Sequence, residues 1–256
     1  MTEPKDGVGW VALIGGGPGA ADLITVRGLN LLRRAEVVVV DRLAPRELLA
    51  DLAPEVEIVD AAKGPHGHNL SQDEINTLLV ERALAGRRVV RLKDGDPFLF
   101  GRGGEEALAC AAAGIPCEVV PGVTSAVAVP ALAGIPVTHR GITQDLAVVS
   151  GHVDPSHPGS TANWDALASG PGTVVVLMGV GALRQIGVEL IKRGRPATTP
   201  VAVIQAGATP RQRVVTGTLD DIAAAADAAG VRSPAVIVIG EVVALRDQVG
   251  SHRIPD

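Results

Sequence analysis

The stretch RVVRLKDGDPFLFGRGGEEALACAAAG, residues 88–114, contains an apolar run, a glycine-rich loop and a helix-like segment, in that order. A strand followed by such a loop and a helix is the repeating unit of α/β proteins. The loop carries two carboxylates, Asp94 and Asp96, on either side of Gly95. Glycine-rich loops in this position often bind phosphate, so the two negative charges require an explanation.

The same alternation continues through the first half of the chain. Ser71 and Glu74 form a capping-box pattern that begins one helix, and Gly86 ends it. Uniformly apolar strands that alternate with helices predict a mainly parallel sheet covered on both faces. The predicted strands are WVALI, VVVV, VEIV, RVVRL and CEVV, and the predicted helices follow Thr25, Pro45, Ser71, Glu105 and Thr124.

The segment AGIPVTHRGIT, residues 133–143, has glycine, proline and charges without an apolar period, and we interpret it as the crossing into a second domain. Five more strands are predicted beyond it, in DLAVVS, TVVVLMG, PVAVIQ, QRVVTG and AVIVIG, with helices after Trp164, Val180 and Leu219. The fold class is therefore α/β, with one domain at residues 1–137 and a second at residues 138–256.

Composition excludes some classes of function. The chain of 256 residues is 46% apolar, which supports a sizeable core, and its net charge of −5 argues against nucleic acid as the main partner. The first residues are polar, and no apolar run approaches the roughly 18 residues of a membrane span, so we expect a cytoplasmic protein without a membrane partner. Cys110 and Cys117 have no histidine cluster nearby, and we expect two small buried side chains and no metal site.

The loop IGGGPGAADLIT follows the first predicted strand and leaves two interpretations open. Gly15-x-Gly17-x-x-Ala20 fits a dinucleotide fingerprint, with Asp41 at the end of the second strand as the ribose-binding acid, and this predicts an NAD-dependent oxidoreductase. The other interpretation is a tight turn at a strand end. Against the dinucleotide, the helical apolar period begins only near Thr25, too late for a helix N-terminus to meet a pyrophosphate.

The acidic loop favours a different ligand. Two carboxylates beside a glycine repel a pyrophosphate and suit a cation or ribose hydroxyls. S-adenosylmethionine offers a sulfonium, an ammonium and a ribose. The alternative is an exposed acidic turn, which applies more to Asp94 than to Asp96, because Asp96 stands in the turn-setting context Asp-Pro-Phe. Thr124 and Ser125 offer hydroxyls at a further strand end, where ordinary helix capping is the alternative role.

Several motifs together resemble the uroporphyrinogen-III C-methyltransferases of the tetrapyrrole methylase family. They are GGGPGAADLITVRG, VVVVDRL, SQDEIN, VVRLKDGDPFLFGRGGEE, EVVPGVTSA, AGIPVTHRG, VVLMGV, TPRQRVVTGTL and PAVIVIGEVV, and they cover residues 8–247. The resemblance implies two α/β domains with S-adenosylmethionine in a cleft between them, a homodimer, and C-methylation of uroporphyrinogen III at carbons 2 and 7. The products are S-adenosylhomocysteine and precorrin-2, which leads to sirohaem or cobalamin. Another tetrapyrrole (precorrin) methylase is the alternative within the family.

The resemblance also implies roles for individual residues. Asp41 and Arg42 belong to the family's Asp-Arg-Leu motif and face the cleft. By their positions alone, Asp41 and His139 are candidates for the base that removes a proton from the substrate; for His139 the alternative is a hinge residue bonded to backbone. The polyanionic substrate needs local cations, for which Arg42, Lys63, Arg102 and Arg140 are candidates; ordinary surface charges are the alternative. The implied cofactor residues are Pro18, Asp94, Gly95, Asp96, Thr124, Ser125, Met178, Gly207 and Ala235.

Three motifs depart from the family pattern. Asp94 stands where the family usually has glycine, which bears on the affinity for S-adenosylmethionine. Ala62-Lys63-Gly64 replaces a Gly-Lys-Arg sequence, and Leu132 stands where tyrosine is common, and both changes bear on substrate contacts. A ligand-binding regulator with this fold is the non-enzyme alternative, and it is the departure at Asp94 that motivates it.

Overall fold

The structure is a computed structural model that describes residues 7–62 and 69–250. The chain divides into two compact units, Met1–Thr124 and Ser125–Asp256. This division lies upstream of the predicted boundary between residues 137 and 138. The difference comes from helix α4 (Ser125–Leu132), which packs against two strands of the second unit, β7 (Thr173–Leu177) and β10 (Ala235–Ile239).

The first unit contains the predicted strands in a five-stranded sheet of order β3-β2-β4-β1-β5. All four strand pairs are parallel, as the apolar runs predicted. The strands are β1 (Trp10–Gly15), β2 (Val37–Val40), β3 (Glu57–Asp60), β4 (Arg88–Lys93) and β5 (Cys117–Val120), and the helices are α1 (Val26–Leu32), α2 (Gln72–Leu84) and α3 (Gly103–Ala112).

Both faces of this sheet are covered. Helices α2 and α3 pack on the face that carries Val11 and Leu13, whereas α1 and its flanking segments pack on the face that carries Ala12 and Ile14. Strand β2 is internal, which explains why all four of its valines are fully buried. The capping box at Ser71 and Glu74 is confirmed, but the helix predicted after Pro45 is a short 3-10 helix, Arg46–Leu49.

The second unit also contains its five predicted strands, but its sheet is mixed. The order is β6-β7-β10-β8-β9, in which only β6 and β7 pair in parallel. Its other strands are β6 (Leu146–Ser150), β8 (Pro200–Gln205) and β9 (Arg213–Thr218). Its other helices are α5 (Trp164–Ser169), α6 (Leu183–Lys192), α7 (Ile222–Ala228) and α8 (Arg246–Val249). Further 3-10 helices lie at Ala21–Leu23 in the first unit and at Val180–Ala182 and Glu241–Leu245 in the second.

Two further properties bear on function. Across residues 7–62 and 69–250, no helix combines the length and apolar character needed to cross a membrane. Over the same residues, no group of three or more His, Cys, Asp or Glu side chains is arranged to hold a metal ion. Cys110 is buried and Cys117 partly buried, and both thiols are free.

Candidate active site

The carboxyl ends of the parallel strands meet at one edge of the first sheet. Strands β1 and β4 are neighbours in the sheet, but the chain continues from β1 to α1 on one face of the sheet and from β4 to α3 on the other. A crevice therefore opens between the carboxyl ends of these two strands. In open parallel sheets, ligands bind at such a crevice. The first unit places these sequence-predicted residues at that edge: Pro18, Asp41, Asp94, Gly95 and Asp96.

Three glycine-containing loops are packed together at this edge. Gly17 and Gly95 exchange backbone hydrogen bonds of 3.3 and 2.8 Å. A Cβ atom on Gly122 would lie 2.6 Å from the Gly15 Cα and would overlap the Gly95 carbonyl oxygen. No larger residue fits there without separating the loops. The close approach of one backbone to another therefore explains why glycines occupy these positions.

The two loop carboxylates have different tasks. Asp96 Oδ1 accepts a hydrogen bond from the Phe98 amide at 2.9 Å, and its Oδ2 accepts one from the Gly122 amide at 3.0 Å. Asp96 thus ties its own turn to the segment that follows β5. Among the described residues, Asp94 has no hydrogen bond or ion pair to another side chain, so Asp94 is the loop carboxylate that is available to a ligand.

Asp94 sits in a setting that disfavours its own negative charge. The side chain reaches the surface, yet desolvation by the surrounding protein raises its pKa, and repulsion from Asp41 raises it further. Lys93 and Arg91 act in the opposite direction but do not overcome these effects. A cation bound at this edge would relieve the unfavourable charge.

Behind Asp41 lies a buried charged network, defined here as Asp41, Arg91, Lys93 and Glu106. Arg91 donates from Nη2 to Asp41 and from Nε to Glu106 Oε1 at 2.9 Å. Lys93 Nζ lies 3.4 Å from Asp41 Oδ2 and 3.2 Å from Glu106 Oε1. The two cations and two carboxylates balance, which is the condition under which charges are tolerated in a protein interior.

Arg91, Lys93 and Glu106 are not among the site residues predicted from the sequence. Arg91 and Lys93 are two residues apart in β4, so their side chains share one face of the strand, and both are 2% exposed. Glu106 is fully buried on α3, one turn before buried Cys110. Two cations at alternate positions of an apolar strand are the signal that predicts a buried partner, because they cannot be buried alone.

The predicted cations and the histidine occupy different settings. Arg42 is exposed and has no partner within the described chain, whereas Arg102 makes a two-fold hydrogen bond with Glu105, at 2.8 and 2.7 Å. That pairing raises the pKa of Arg102 and lowers the pKa of Glu105. His139 and Arg140 are exposed in a small turn closed by backbone bonds to Thr143. Lys63 lies outside the described residues.

The second unit brings three predicted cofactor residues to one edge of its own sheet. Leu177, which precedes Met178, pairs with Val236, and Ala235 pairs with Gln205, two positions before Gly207. These contacts align the end of β7, the start of β10 and the end of β8. Ser125, also predicted as a cofactor residue, is the first residue of α4, and Thr124 immediately precedes it.

The backbone at this second edge is strained. Met178, Ala206 and Ala208 have positive φ angles of 57°, 49° and 59°. Gly207, between the two alanines, has no room for a side chain, since a Cβ would lie 2.6 Å from Val129 Cγ2. Such left-handed conformations at non-glycine residues are uncommon and concentrate at ligand-binding sites. The strain independently supports a binding role for the Met178 and Gly207 loops.

The dinucleotide interpretation does not fit this geometry. Helix α1 begins at Val26 and is capped by Thr25, whose Oγ1 accepts from the Gly28 amide at 3.2 Å. No α-helix therefore begins at the Gly15–Gly17 turn, and only the short 3-10 helix Ala21–Leu23 lies between that turn and α1. Asp41, the presumed ribose ligand, is bound to Arg91 and Lys93 instead.

These features define a class: an α/β protein of two units whose first sheet carries acidic and glycine-rich loops at the carboxyl ends of its parallel strands. The chain belongs to the tetrapyrrole (corrin/porphyrin) methylases, whose family model matches residues 11–223.

Particular members of the family are similar to this chain along nearly all of its length. The chain is 46% identical over 245 residues to the S-adenosyl-L-methionine-dependent uroporphyrinogen III methyltransferase of Methanosarcina barkeri, with 96% of each chain covered. It is 45% identical over 251 residues to siroheme synthase 2 of Aeromonas hydrophila, but it spans only 52% of that protein's length. A solved structure of uroporphyrin-III C-methyl transferase from Thermus thermophilus, complexed with S-adenyl homocysteine, superposes with a TM-score of 0.76 at 41% identity, covering 93% of this chain and all of that one.

Proposed function

We propose that this protein is an S-adenosylmethionine-dependent C-methyltransferase that methylates uroporphyrinogen III at carbons 2 and 7, giving precorrin-2 and S-adenosylhomocysteine. The observation that carries the proposal is 46% identity along nearly the whole length of a relative named for this activity. The fold and the available carboxylate at Asp94 agree with it.

The residues present fit S-adenosylmethionine chemically. Asp94 offers a carboxylate to a sulfonium or an ammonium, and the Gly15–Gly17 turn carries no basic side chain that would bind a phosphate. Met178 is exposed and offers an apolar surface for an adenine. We propose Pro18, Asp94, Gly95, Asp96, Thr124, Ser125, Met178, Gly207 and Ala235 as the residues that bind the cofactor.

S-adenosylmethionine supplies an activated methyl group, and the nucleophile is an electron-rich carbon of the substrate. The protein therefore needs no nucleophilic side chain. Its contribution is to align the reacting atoms and exclude water, which is worth roughly 7–11 kcal/mol when the atoms are held close. The methylated ring then becomes neutral by losing a proton.

Asp41 is our candidate for the base that accepts this proton. Arg91 and Lys93 fix the orientation of its carboxylate at the sheet edge, and its side chain keeps 22% of its surface exposed. His139, the other candidate, has a side chain without a partner in the described part of the chain, and its backbone bonds serve the turn to Thr143. An oriented carboxylate is the better placed acceptor.

Arg42 follows Asp41 directly and is the best candidate for binding a substrate carboxylate. We expect Arg42→Ala to weaken uroporphyrinogen binding by roughly 1.5–3 kcal/mol, the value of a hydrogen bond to a charged group, and to leave S-adenosylmethionine binding unchanged. Arg33→Ala is the matched control, because Arg33 is an exposed arginine at the end of α1, near the amino end of β2 and thus away from the proposed site. Calorimetric titration of both ligands measures the effect, and equal losses for both ligands would contradict the assignment.

The remaining candidate cations differ in availability. Arg102 must give up its pair with Glu105 before it can contact a substrate, whereas Arg140 has no such partner among the residues described. Arg140, Arg102 and Lys63 stay in the proposal as substrate-binding residues. Arg140 is the second choice for mutation after Arg42, because a substrate carboxylate can bind Arg140 without displacing an ion-pair partner in the described part of the chain.

A radiolabelled methyl transfer assay tests the proposed function. Uroporphyrinogen III and S-adenosylmethionine are incubated with the protein, and the product is separated and identified by mass. Two labelled methyl groups on the tetrapyrrole support the proposal. Transfer only to a later precorrin would favour another branch of the family, and binding of S-adenosylmethionine with no transfer to either would favour the regulator.

The homodimer and the cytoplasmic location implied by the resemblance also belong to this proposal, with sirohaem or cobalamin as the destination of the product. We expect light scattering at micromolar concentration to give about twice the chain mass of 26.1 kDa. A mass equal to that of one chain would contradict the dimer.

A further inference from the structure

Glu106 stands behind the proposed base and cannot touch the substrate. Its side chain is fully buried on α3, and its Oε1 accepts from Arg91 Nε at 2.9 Å, Lys93 Nζ at 3.2 Å and Gln72 Nε2 at 3.4 Å. Its Oε2 is equally buried and has no hydrogen-bond partner in the described structure. All of the stabilising contacts of this carboxylate therefore pass through one oxygen.

Asp41 and Glu106 share the same two cations. Both Arg91 and Lys93 contact Asp41 on one side and Glu106 on the other. The side chains of Arg91, Lys93 and Glu106 are almost completely buried, whereas that of Asp41 is 22% exposed. Asp41 is thus the point at which the network meets the sheet edge.

The charges around Asp41 are balanced. Arg91 and Lys93 carry two positive charges beside it, and Glu106 offsets one of them. Because one Lys93 Nζ touches both carboxylates, their oxygens lie within about 7 Å of each other, close enough for Glu106 to influence a proton arriving at Asp41.

We propose that Glu106 is a positioning residue for the methyl transfer reaction: it shares Arg91 and Lys93 with Asp41 and thereby weakens their hold, so that Asp41 can accept the proton that the methylated ring releases. This inference rests on the proposed function and on Asp41 as the base. Further charged groups at this edge in the described structure are Asp94 after β4, Arg42 on the loop of Asp41, and Asp60 at the end of β3, which pairs with Arg46. The thiols of Cys110 and Cys117 lie in the field of Glu106.

Glu106→Gln is a suitable probe, because the new amide nitrogen can take the place of the oxygen that has no donor. No hydrogen bond of Oε1 has to be lost, and the main change is one unit of charge. We expect the acidic midpoint of the pH profile of turnover to move to lower pH by about one to two units, since the cations then oppose protonation of Asp41 more strongly.

Lys93→Gln provides the opposite test, since it removes a cation and should move the same midpoint to higher pH. The double variant restores the balance of charge and should return the midpoint toward that of the unchanged protein. Glu118→Gln is the matched control, because Glu118 is an exposed acid of β5 whose ion pair in the described part of the chain is with exposed Arg27. Circular dichroism establishes that each variant is folded.

Opposite shifts in the two single variants, with compensation in the double variant, would support the inference. Shifts in the same direction, or no shift in either, would overturn it. If Glu106→Gln does not fold, the other two variants test the inference: the midpoint of Lys93→Gln must move to higher pH, and that of the double variant must return toward the midpoint of the unchanged protein. Absence of methyl transfer in the unchanged protein would overturn the proposed function and this inference with it, whereas transfer with unshifted midpoints would overturn only the inference.

Discussion

Arg91→Met should lower the free energy of unfolding of the first unit by about 3–5 kcal/mol, the usual cost of removing one partner from a buried ion pair. Arg91 is 2% exposed and donates hydrogen bonds to Asp41, to Glu106 and, at 3.3 Å, to the Val39 carbonyl. Methionine fills a similar space but donates nothing. Lys93 would then be the only cation between two carboxylates, one of them fully buried.

Tryptophan fluorescence can report on each unit separately. The chain has two tryptophans, Trp10 at the start of β1 and Trp164 in the core of the second unit. In a Trp164→Phe background, urea unfolding followed by fluorescence reports on the first unit through Trp10. We expect the Arg91→Met transition to move to markedly lower urea in this background, and the loss of free energy follows from the midpoint and slope.

Arg102→Met is the matched control for the Arg91 prediction. It removes the same side chain, also from an ion pair with a glutamate, but the side chains of Arg102 and Glu105 are 57% and 51% exposed. Exposed pairs contribute about 0–1 kcal/mol, because water screens the charges and the side chains lose entropy on pairing. Losses of similar size in the two variants would show that burial of the Arg91 network has no special energetic role.

Most of the fold follows from hydrophobic pattern. Runs such as Val37–Val40 are apolar at every position, because an internal parallel strand is covered on both faces. The pattern does not reveal that β10 runs antiparallel to β7 and β8, since these strands are equally apolar. The boundary between the units is also hidden, because α4 joins the second unit through contacts with strands far along the chain.

The site is only partly predictable, for reasons that its residues illustrate. The Asp-Pro-Phe context of Asp96 is visible in the sequence and fits its bond from the nearby Phe98 amide, but the bond from the Gly122 amide, distant along the chain, is not predictable from it. Arg91 finds its partners fifty residues earlier and fifteen residues later. The Arg102–Glu105 pair is different: a three-residue spacing at a helix start is visible in the sequence and predicts an exposed pair.

We expect loss of the Asp94 carboxylate to weaken S-adenosylmethionine binding by up to about 3 kcal/mol, which is the attraction between unit charges roughly 6 Å apart at an effective dielectric constant near 20. Asp94→Gly restores the residue that the resembling family usually has, and Asp94→Asn removes the charge while keeping the shape. We expect Asp96 to replace the lost charge only in part, because backbone hydrogen bonds to both of its oxygens hold it in place.

The raised pKa of Asp94 gives this prediction a pH dependence. Desolvation and then repulsion from Asp41 disfavour the ionised form, so ionised Asp94 destabilises the unliganded fold as the pH rises through its pKa. A bound cation favours the ionised form. We therefore expect S-adenosylmethionine affinity to fall as the pH drops through this titration, which lies above the usual range of aspartate, and Asp94→Asn to lack that part of the dependence.

Turnover should respond differently from binding. Methyl transfer disperses the positive charge of the sulfonium, so attraction to Asp94 is strongest before reaction and is partly lost in the transition state. An interaction of that kind improves binding without accelerating chemistry. We expect Asp94→Gly and Asp94→Asn to turn over at the same rate as the unchanged protein or faster when S-adenosylmethionine is saturating.

Binding of S-adenosylhomocysteine distinguishes whether Asp94 interacts with the sulfonium or with the ammonium of S-adenosylmethionine. This product keeps the ammonium of the methionine moiety but has no sulfonium charge. If Asp94 acts on the sulfonium, both variants lose more affinity for S-adenosylmethionine than for S-adenosylhomocysteine, and the ratio of the two dissociation constants changes. If it pairs with the ammonium, both ligands weaken together and the ratio stays the same, which contradicts the sulfonium explanation. Unchanged constants for both ligands would mean that Asp94 takes no part in binding, and the acidic loop would then need another explanation than a bound cation.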